Sequence, residues 1–527
     1  MRLDRLTIPS YRNLRAFTID FDETQATTVL LGRNGSGKSN LFEAIVQIFR
    51  ELEIGGAPPF PYSLEYTCRG HAIQIDADPE RTNKRLVISV DGKSMPQAAF
   101  LKKVDDYLPN FVFAYYSGWS TRLERHFDRP TRKHYDAILK AQNHQLPLRR
   151  LFFCRKEYSQ LVLLAFFLEK TAAANDLLEQ FLGIQSFDSA LFVLKTPWWR
   201  RSGSPRKNQI EEGDARFWYA LGAFRGFLDR LWQRSLAPIR SNETVDRDVR
   251  RQGESIERLY LFIKSEEELA GLKEETADSK ALFGYLESLF LCDLIDEVRV
   301  TVERTDGTRV KFTQMSEGEQ QLLTVLGLLL FTQNDESLYL LDEPDTHLNP
   351  VWTYDFLRLL QDNIRAEKGQ LIVATHNPLM IGSLRKNQVR ILDPNASTVG
   401  KLTADAREPD EDPFAMGVDG LLTSELYGLP SVLPKEVIDK IDERNLLFAK
   451  HERTALEERQ LSALSAELAK LGVLRSYIDP YEQAFAEAMA RRSQREHANL
   501  TAEDFKVRNE EADAILEKLF SEEESAR

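Results

Sequence analysis

Only three cysteines, Cys68, Cys154 and Cys292, occur in the 527 residues of this chain. They are too widely separated for a paired zinc spacing or a disulfide framework, so the expected compartment is reducing and cytoplasmic. Long hydrophobic runs are missing too. The longest clean apolar stretch, Leu161–Leu168, falls well short of the ~20 residues a spanning helix needs. The opening MRLDRLTIPSYRN has no apolar core of the signal-peptide kind, and no membrane association is expected. An excess of basic charge is absent as well: 69 Lys and Arg stand against 82 Asp and Glu, a net charge of −13. A protein that binds nucleic acid over its whole surface usually has the opposite sign. Any such contact would need a local basic patch, because charges are screened beyond ~10 Å at physiological salt.

What is present is the balance of a soluble globular chain, 42% hydrophobic and 29% charged, long enough for roughly two to four folding units. Residues 3–21 alternate apolar and polar positions, and ATTVLLGRNGSGKSNLFEAIVQIF (residues 26–49) reads strand, glycine loop, helix. Residues 61–92 read as short strands of an antiparallel sheet, and FVFAYYSG as a buried strand. From about 130 to 295 the pattern is helical, as in ARFWYALGAFRGFLDRLWQRSL and SKALFGYLESLFLCDLI. Two alternating strands then flank Asp306-Gly307, a hairpin signal. SLYLLDEPD, QLIVATHNP and QVRILDP read as further strands, and after an acidic loop the last hundred-odd residues are helical again.

GRNGSGKS, Gly32 to Ser39, fits G-x-x-x-x-G-K-[ST] in its required place between a strand and a helix. Its glycines let backbone N–H groups wrap phosphates, and the helix N-terminus adds partial positive charge. Gly32, Asn34, Gly35, Ser36, Gly37, Lys38, Ser39 and Asn40 are the expected nucleotide contacts. Lys38 reaches the terminal phosphates, and Ser39 is the first Mg²⁺ ligand. In LYLLDEPD the buried strand delivers Asp342 as the second metal ligand, with Glu343 placed to polarise an attacking water. His376, past the tip of LIVATHNP, can bond a terminal phosphate or that water.

These pieces, in this order, resemble the ABC-type ATPase head of the SMC, RecF and OLD lineage. That resemblance implies an α/β fold, a P-loop head with a mixed sheet flanked by helices, with ATP and Mg²⁺ as cofactors. It makes QMSEGEQQ, residues 314–321, the signature motif. Ser316, Gly318 and Glu319 would then face the γ-phosphate held by a second protomer, so that two heads close on two nucleotides as a homodimer or higher oligomer. The same Ser316 and Glu319 also fit a capping box. THLNP would be the D-loop, with Asn349 near the seam. The sequence departs from the family in two places: Glu317 stands where the signature's first glycine is usual, and no clear Q-loop glutamine is present. Tyr116, Ser117 and Gly118 occupy that loop's place.

The implied layout is 1–130 for the first half of the head, 131–295 for a helical insertion, 296–400 for the second half, and 401–527 for a helical region that binds partners or oligomerises. The insertion is too short and lacks the heptads of a coiled-coil arm. Beyond residue 380 there is no carboxylate pattern of a TOPRIM nuclease. Asp76 and Asp78 read as a strand end, and the eight histidines show no HNH-like grouping, so no nuclease site is expected. TPWWRRSGSPRKNQ, with Arg200 and Arg201, mixes aromatics with cations as single-strand binders do, or is a solvated loop beside packed tryptophans. The tail, including DPFAMGVDGLLTSELYGL, resembles that of Septu-type anti-phage defence ATPases, also found with some retrons. That resemblance implies an ATPase that regulates a separate small HNH-type nuclease. The alternative is a RecF-like maintenance factor in which ATP closes the heads on DNA.

Overall fold

The structure, a computed structural model, describes residues 1–118, 120–140, 148–168, 172–197, 200, 210–211, 213–220, 225–245, 254–272, 279–332, 336–363, 369–394, 404–414, 416–429, 431–448, 450, 453–471 and 514. The chain divides into two compact units, residues 1–380 with 387–407, and residues 381–386 with 408–527.

Three sheets are described, all in the first unit. An antiparallel sheet runs β2-β1-β4-β5-β6-β7, built from β1 (Arg2–Tyr11), β2 (Leu14–Asp20), β4 (Tyr62–Cys68), β5 (His71–Ala77), β6 (Leu86–Val90) and β7 (Lys93–Met95). Its alternation is visible in β4, where Tyr62, Leu64, Tyr66 and Cys68 are buried and the residues between them are half-buried. The central sheet runs β18-β17-β3-β16-β15-β8-β9. Its strands are β3 (Thr27–Leu31), β8 (Phe111–Tyr116), β9 (Leu151–Phe153), β15 (Ser337–Asp342), β16 (Gly369–Ala374), β17 (Val389–Pro394) and β18 (Ala404–Arg407). All its pairs are parallel except β17 with β18. Every residue of β3, β15 and β16 is buried, as expected of parallel strands covered on both faces. Helix α1 (Lys38–Ile54) buries Leu41, Phe42, Ile45, Ile48, Phe49 and Leu52 in that core.

The third sheet corrects the reading of residues 131–295 as a helical insertion. That stretch holds helices Asp128–Lys140, Tyr158–Leu168 and Ser279–Leu291, but also β10 (Ile184–Lys195), β11 (Ile239–Val245) and β12 (Glu254–Ile263). These pair with β13 (Ile295–Arg304) and β14 (Arg309–Lys311) in the order β11-β12-β10-β13-β14. Register shifts between Ile184 and Ser186 and between Phe187 and Ser189 break the period of two along β10, so its sequence does not alternate cleanly. The β13–β14 hairpin turns at Gly307, φ 79°, as Asp306-Gly307 predicts. Helices Gly417–Thr423, Lys435–Phe448 and Ala455–Lys470 belong to the second unit. The edge strand β18 stays with the first unit, so the tail begins at 408 rather than 401.

Inside the insertion, Glu287 is fully buried and forms an ion pair with Arg149. The Tyr158 hydroxyl donates to the same carboxylate at 3.1 Å, and the Arg149 guanidinium lies 4.9 Å from the Phe152 ring. Removing one member strands a buried charge, whereas replacing both removes the desolvation cost with the attraction. Glu287→Ala is therefore expected to lower unfolding stability by roughly 3–5 kcal/mol in chemical denaturation, and Glu287→Leu with Arg149→Met to lower it far less.

Candidate functional site

The phosphate loop leaves β3 at Leu31 and enters α1 at Lys38. Gly37 precedes the helix at φ 111° with no side-chain cap. A Cβ there would come closest to the tip of the Leu14 side chain, at 2.8 Å, so it is the left-handed backbone that calls for glycine. The first N–H groups of α1 therefore have no side-chain acceptor capping them, and a helix start of this kind takes an anion. Lys38 is 7% exposed, and its Nζ donates to the Gly32 carbonyl at 2.6 Å. Burial lowers its pKa, while Glu343 and Asp342 oppose that shift. The Ser36 hydroxyl is buried with no hydrogen-bond partner.

Strand β15 ends at Asp342, in register with Tyr116 of β8 on one side and Ala374 of β16 on the other. Asp342 is 1% exposed. Burial pushes its pKa up to about 6; a bond from the Ser39 hydroxyl opposes the rise, and neighbouring Glu343 adds to it. Its Oδ2 is buried without a partner. An orphaned carboxylate oxygen beside a hydroxyl is a hard-oxygen donor set that suits Mg²⁺, so Ser39 and Asp342 fit the metal they were expected to hold.

Glu343 adopts φ 53°, a strained conformation for a non-glycine residue of the kind found at functional sites. Its N–H donates to the Ala374 carbonyl at 2.8 Å, and its carboxylate meets His376 Nδ1 at 2.7 Å. The Thr375 hydroxyl donates to Asp345 at 2.9 Å and accepts the Asn377 N–H at 3.0 Å, which fixes the backbone on both sides of His376. Lys38, Ser39, Asp342, Glu343 and His376 are thus brought together. Ser117 joins the same edge: its N–H donates to the Asp342 carbonyl at 3.3 Å, and its hydroxyl lies 3.0 Å from that of Thr346.

Gly318 sits against the turn after β15. A Cβ on Gly318 would meet the His347 carbonyl at 2.5 Å, so glycine lets the helix Glu317–Thr332 start against that turn. Ser316 and Glu319 form the capping box. The Ser316 N–H and hydroxyl donate to Glu319 at 2.7 and 2.9 Å, and the Glu319 N–H returns to the hydroxyl at 3.3 Å. Arg304 also bonds Glu319, at 2.8 Å. Asn349 caps the next helix, accepting the Trp352 N–H at 2.9 Å. Arg200 lies 5.6 Å from the Tyr219 ring centroid, whereas Trp198, Trp199, Arg201, Arg206 and Lys207 lie outside the described residues.

Sequence reasoning missed Arg12, Asn13, Glu43 and Arg122, which surround Asn40. A lone acid in the apolar run LFEAIV was the available signal for Glu43.

Because the folded Asp342 keeps its proton up to about pH 6, against an ordinary value of 3.8, its burial costs stability only once pH rises through that window. Free of metal and nucleotide, Asp342→Asn should therefore melt above the wild type at pH 7.5. The margin, at most roughly 3 kcal/mol, should shrink toward zero by pH 4 in a series of thermal melts.

Two family models match the chain. One is an AAA domain, whose description names AbiEii toxin and Type IV TA system, over residues 194–382; the other is the AAA ATPase domain, over residues 1–95. The chain is 27% identical over 215 residues to the Septu protein PtuA of Bacillus mycoides (strain KBAB4), covering 39% of this chain and 29% of that one. It is 25% identical over 133 residues to the "Retron Vc95 probable ATPase" of Vibrio cholerae serotype O1 biovar El Tor, covering 21% and 26%. The matches thus span less than a third of either relative. The solved SMC head domain from Thermotoga maritima aligns at 14% identity and a TM-score of 0.32, over 78% of this chain and 100% of that one. No described helix is long and apolar enough to cross a membrane. By these matches the chain is similar to AAA-type ATPases over residues 1–95 and 194–382.

Proposed function

We propose that the chain binds ATP and Mg²⁺ between two heads, hydrolyses it, and thereby controls a separate effector nuclease of the HNH kind in an anti-phage defence system. One observation carries the chemistry: the strained Glu343, paired with His376 at 2.7 Å, lies beside the Asp342 that bonds Ser39 of the phosphate loop. Gly32, Asn34, Gly35, Ser36 and Gly37 cradle the phosphates through their backbone, and Lys38 turns from the Gly32 carbonyl to the terminal phosphates. Bound Mg²⁺ neutralises charge on the terminal phosphates; Ser39 and Asp342 are the residues that hold it. Glu343 accepts the proton of the attacking water, and His376 orients that carboxylate and faces solvent from the strand tip. Ser316 and Gly318 act across the head dimer, where Glu319 holds the serine. The similarity to a Septu protein and to a retron ATPase supports the defence role, and the second unit supplies the surface for the nuclease.

A DNA clamp of the RecF kind is the second reading. The exposed Arg125, Arg132 and Lys133 around the helix Asp128–Lys140 favour it, as a surface for phosphate backbone.

Glu343→Gln is expected to keep ATP affinity and lose turnover by about 100-fold or more, whereas Lys38→Ala weakens binding itself; normal turnover by Glu343→Gln would remove that residue from its role. Native mass spectrometry of the protein, expressed with its neighbouring genes and purified with Mg²⁺ and ATP, should yield at least two ATPase chains with a small second protein. A partner-free dimer that carries DNA, with affinity falling steeply as salt rises, would replace the nuclease reading with the clamp.

A further inference from the structure

Glu43 lies on α1 one turn beyond Ser39, a spacing that puts both on one face of the helix. Its side chain is 2% exposed and takes three basic partners from two other segments. Arg12 Nη1, from the turn between β1 and β2, approaches Oε2 at 2.6 Å. Arg122 Nη2, from the segment after β8, approaches Oε1 at 2.9 Å, and His126 Nε2 approaches Oε2 at 3.1 Å. Asn40 repeats the pattern: its Oδ1 accepts from Arg12 at 3.1 Å and from Arg122 at 2.7 Å. Its amide donates to Asn13 at 2.6 Å, and the Asn13 amide donates to the Gly35 carbonyl of the phosphate loop at 2.7 Å.

Two features exceed what a structural staple needs. Arg12 is held at φ 53°, a conformation a bulky residue adopts only under constraint. The two guanidinium-bearing side chains also remain 36% and 54% exposed while the carboxylate beneath them is buried. A buried acid thus aims two half-free cations, held at Asn40, the residue next to the Ser39 that bonds Asp342. In a loop of this type that end takes the terminal phosphates and their metal.

We propose that Glu43 is a positioning residue that holds Arg122, together with Arg12, as a cationic pair reading the terminal phosphate, so that the site distinguishes a nucleoside triphosphate from a diphosphate. This rests on the nucleotide-site reading above. Arginine suits the task because its planar fork can satisfy the carboxylate and a phosphate oxygen at once. A simple staple between segments would alter affinity for both nucleotides alike.

The test is a titration of the full-length protein with fluorescent ATP and ADP analogues in Mg²⁺. Arg122→Ala should leave the ADP-analogue Kd within about twofold and weaken ATP-analogue binding about tenfold, the loss of one charge-assisted bond. Glu43→Gln, nearly isosteric and uncharged, should show the same selective loss, and Arg122→Lys should recover part of it. Equal losses for both nucleotides, or no change in either, would overturn the proposal. Arg122 is exposed, so its variants decide the matter even where Glu43→Gln fails to fold. Lys38→Ala separates the two levels. If it abolishes binding while Arg122→Ala leaves the ATP-to-ADP ratio untouched, the pair is wrong and the nucleotide site stands. A folded wild type that binds neither analogue overturns both.

Discussion

The site depends on one constraint, the parallel register of the central sheet. Leu30 of β3 stands opposite Ala374, Ala374 opposite Asp342, and Asp342 opposite Tyr116. Parallel strands in register end at one edge, and the loops that follow them converge there. Four segments scattered over some 350 residues of chain thereby deliver the phosphate loop, the carboxylates, the histidine and Ser117 to a single line. The strands can hold that register because β3, β15 and β16 are buried along their whole length. A slip of one residue would place the carboxylate of Asp342 at another depth and break the apolar layers on both faces.

That sheet edge carries features a purely structural edge would shed. Asp342 is buried with an orphaned oxygen, Lys38 is desolvated and curled onto its own loop, and Glu343 is held in the left-handed region. Each is unfavourable alone, and the apolar sheet behind them supplies the stability that tolerates them. Two of the buried acids, Glu287 and Asp342, behave differently. Glu287 has Arg149 and Tyr158 and acts as a cross-brace. Asp342 has a single hydroxyl bond and a raised pKa, which leaves it seeking a positive charge that this chain supplies only in part through Lys38.

How much of this was legible in the sequence follows from how local each signal is. GRNGSGKS and LLDEPD are short, their chemistry is contained in their spacing, and the structure puts them side by side. The hairpin at Asp306-Gly307 and the alternating strands between 61 and 92 were readable for the same reason. The other three strands of that hairpin's sheet were not, because bulges in β10 erase the period of two, and β12 carries ERLYLFI, whose apolar residues also suit a helix. The group around Glu43 was invisible for a deeper reason: Arg12, Glu43 and Arg122 acquire meaning only when three separate segments meet. A single acid in an apolar helix shows that something must neutralise it, but not what.

The helix starts at Lys38 and Glu317 differ in a way that bears on the proposed role of Ser316. Helix α1 begins at a glycine with no side-chain cap, whereas the helix at Glu317 begins with Ser316 and Glu319 bonded to each other. The first is open to an anion. The second has its own carboxylate on the serine, with Arg304 holding that carboxylate in turn. Capping box and phosphate contact are therefore not rival readings of Ser316 and Glu319. A hydroxyl can accept from the helix N–H and donate to only one acceptor at a time, so a phosphate reaching Ser316 from another head would have to displace Glu319 as that acceptor. Arg304, already bonded to the displaced carboxylate, would limit the cost of the exchange. In the head-dimer reading, the cap then keeps the signature helix ordered until a second nucleotide arrives.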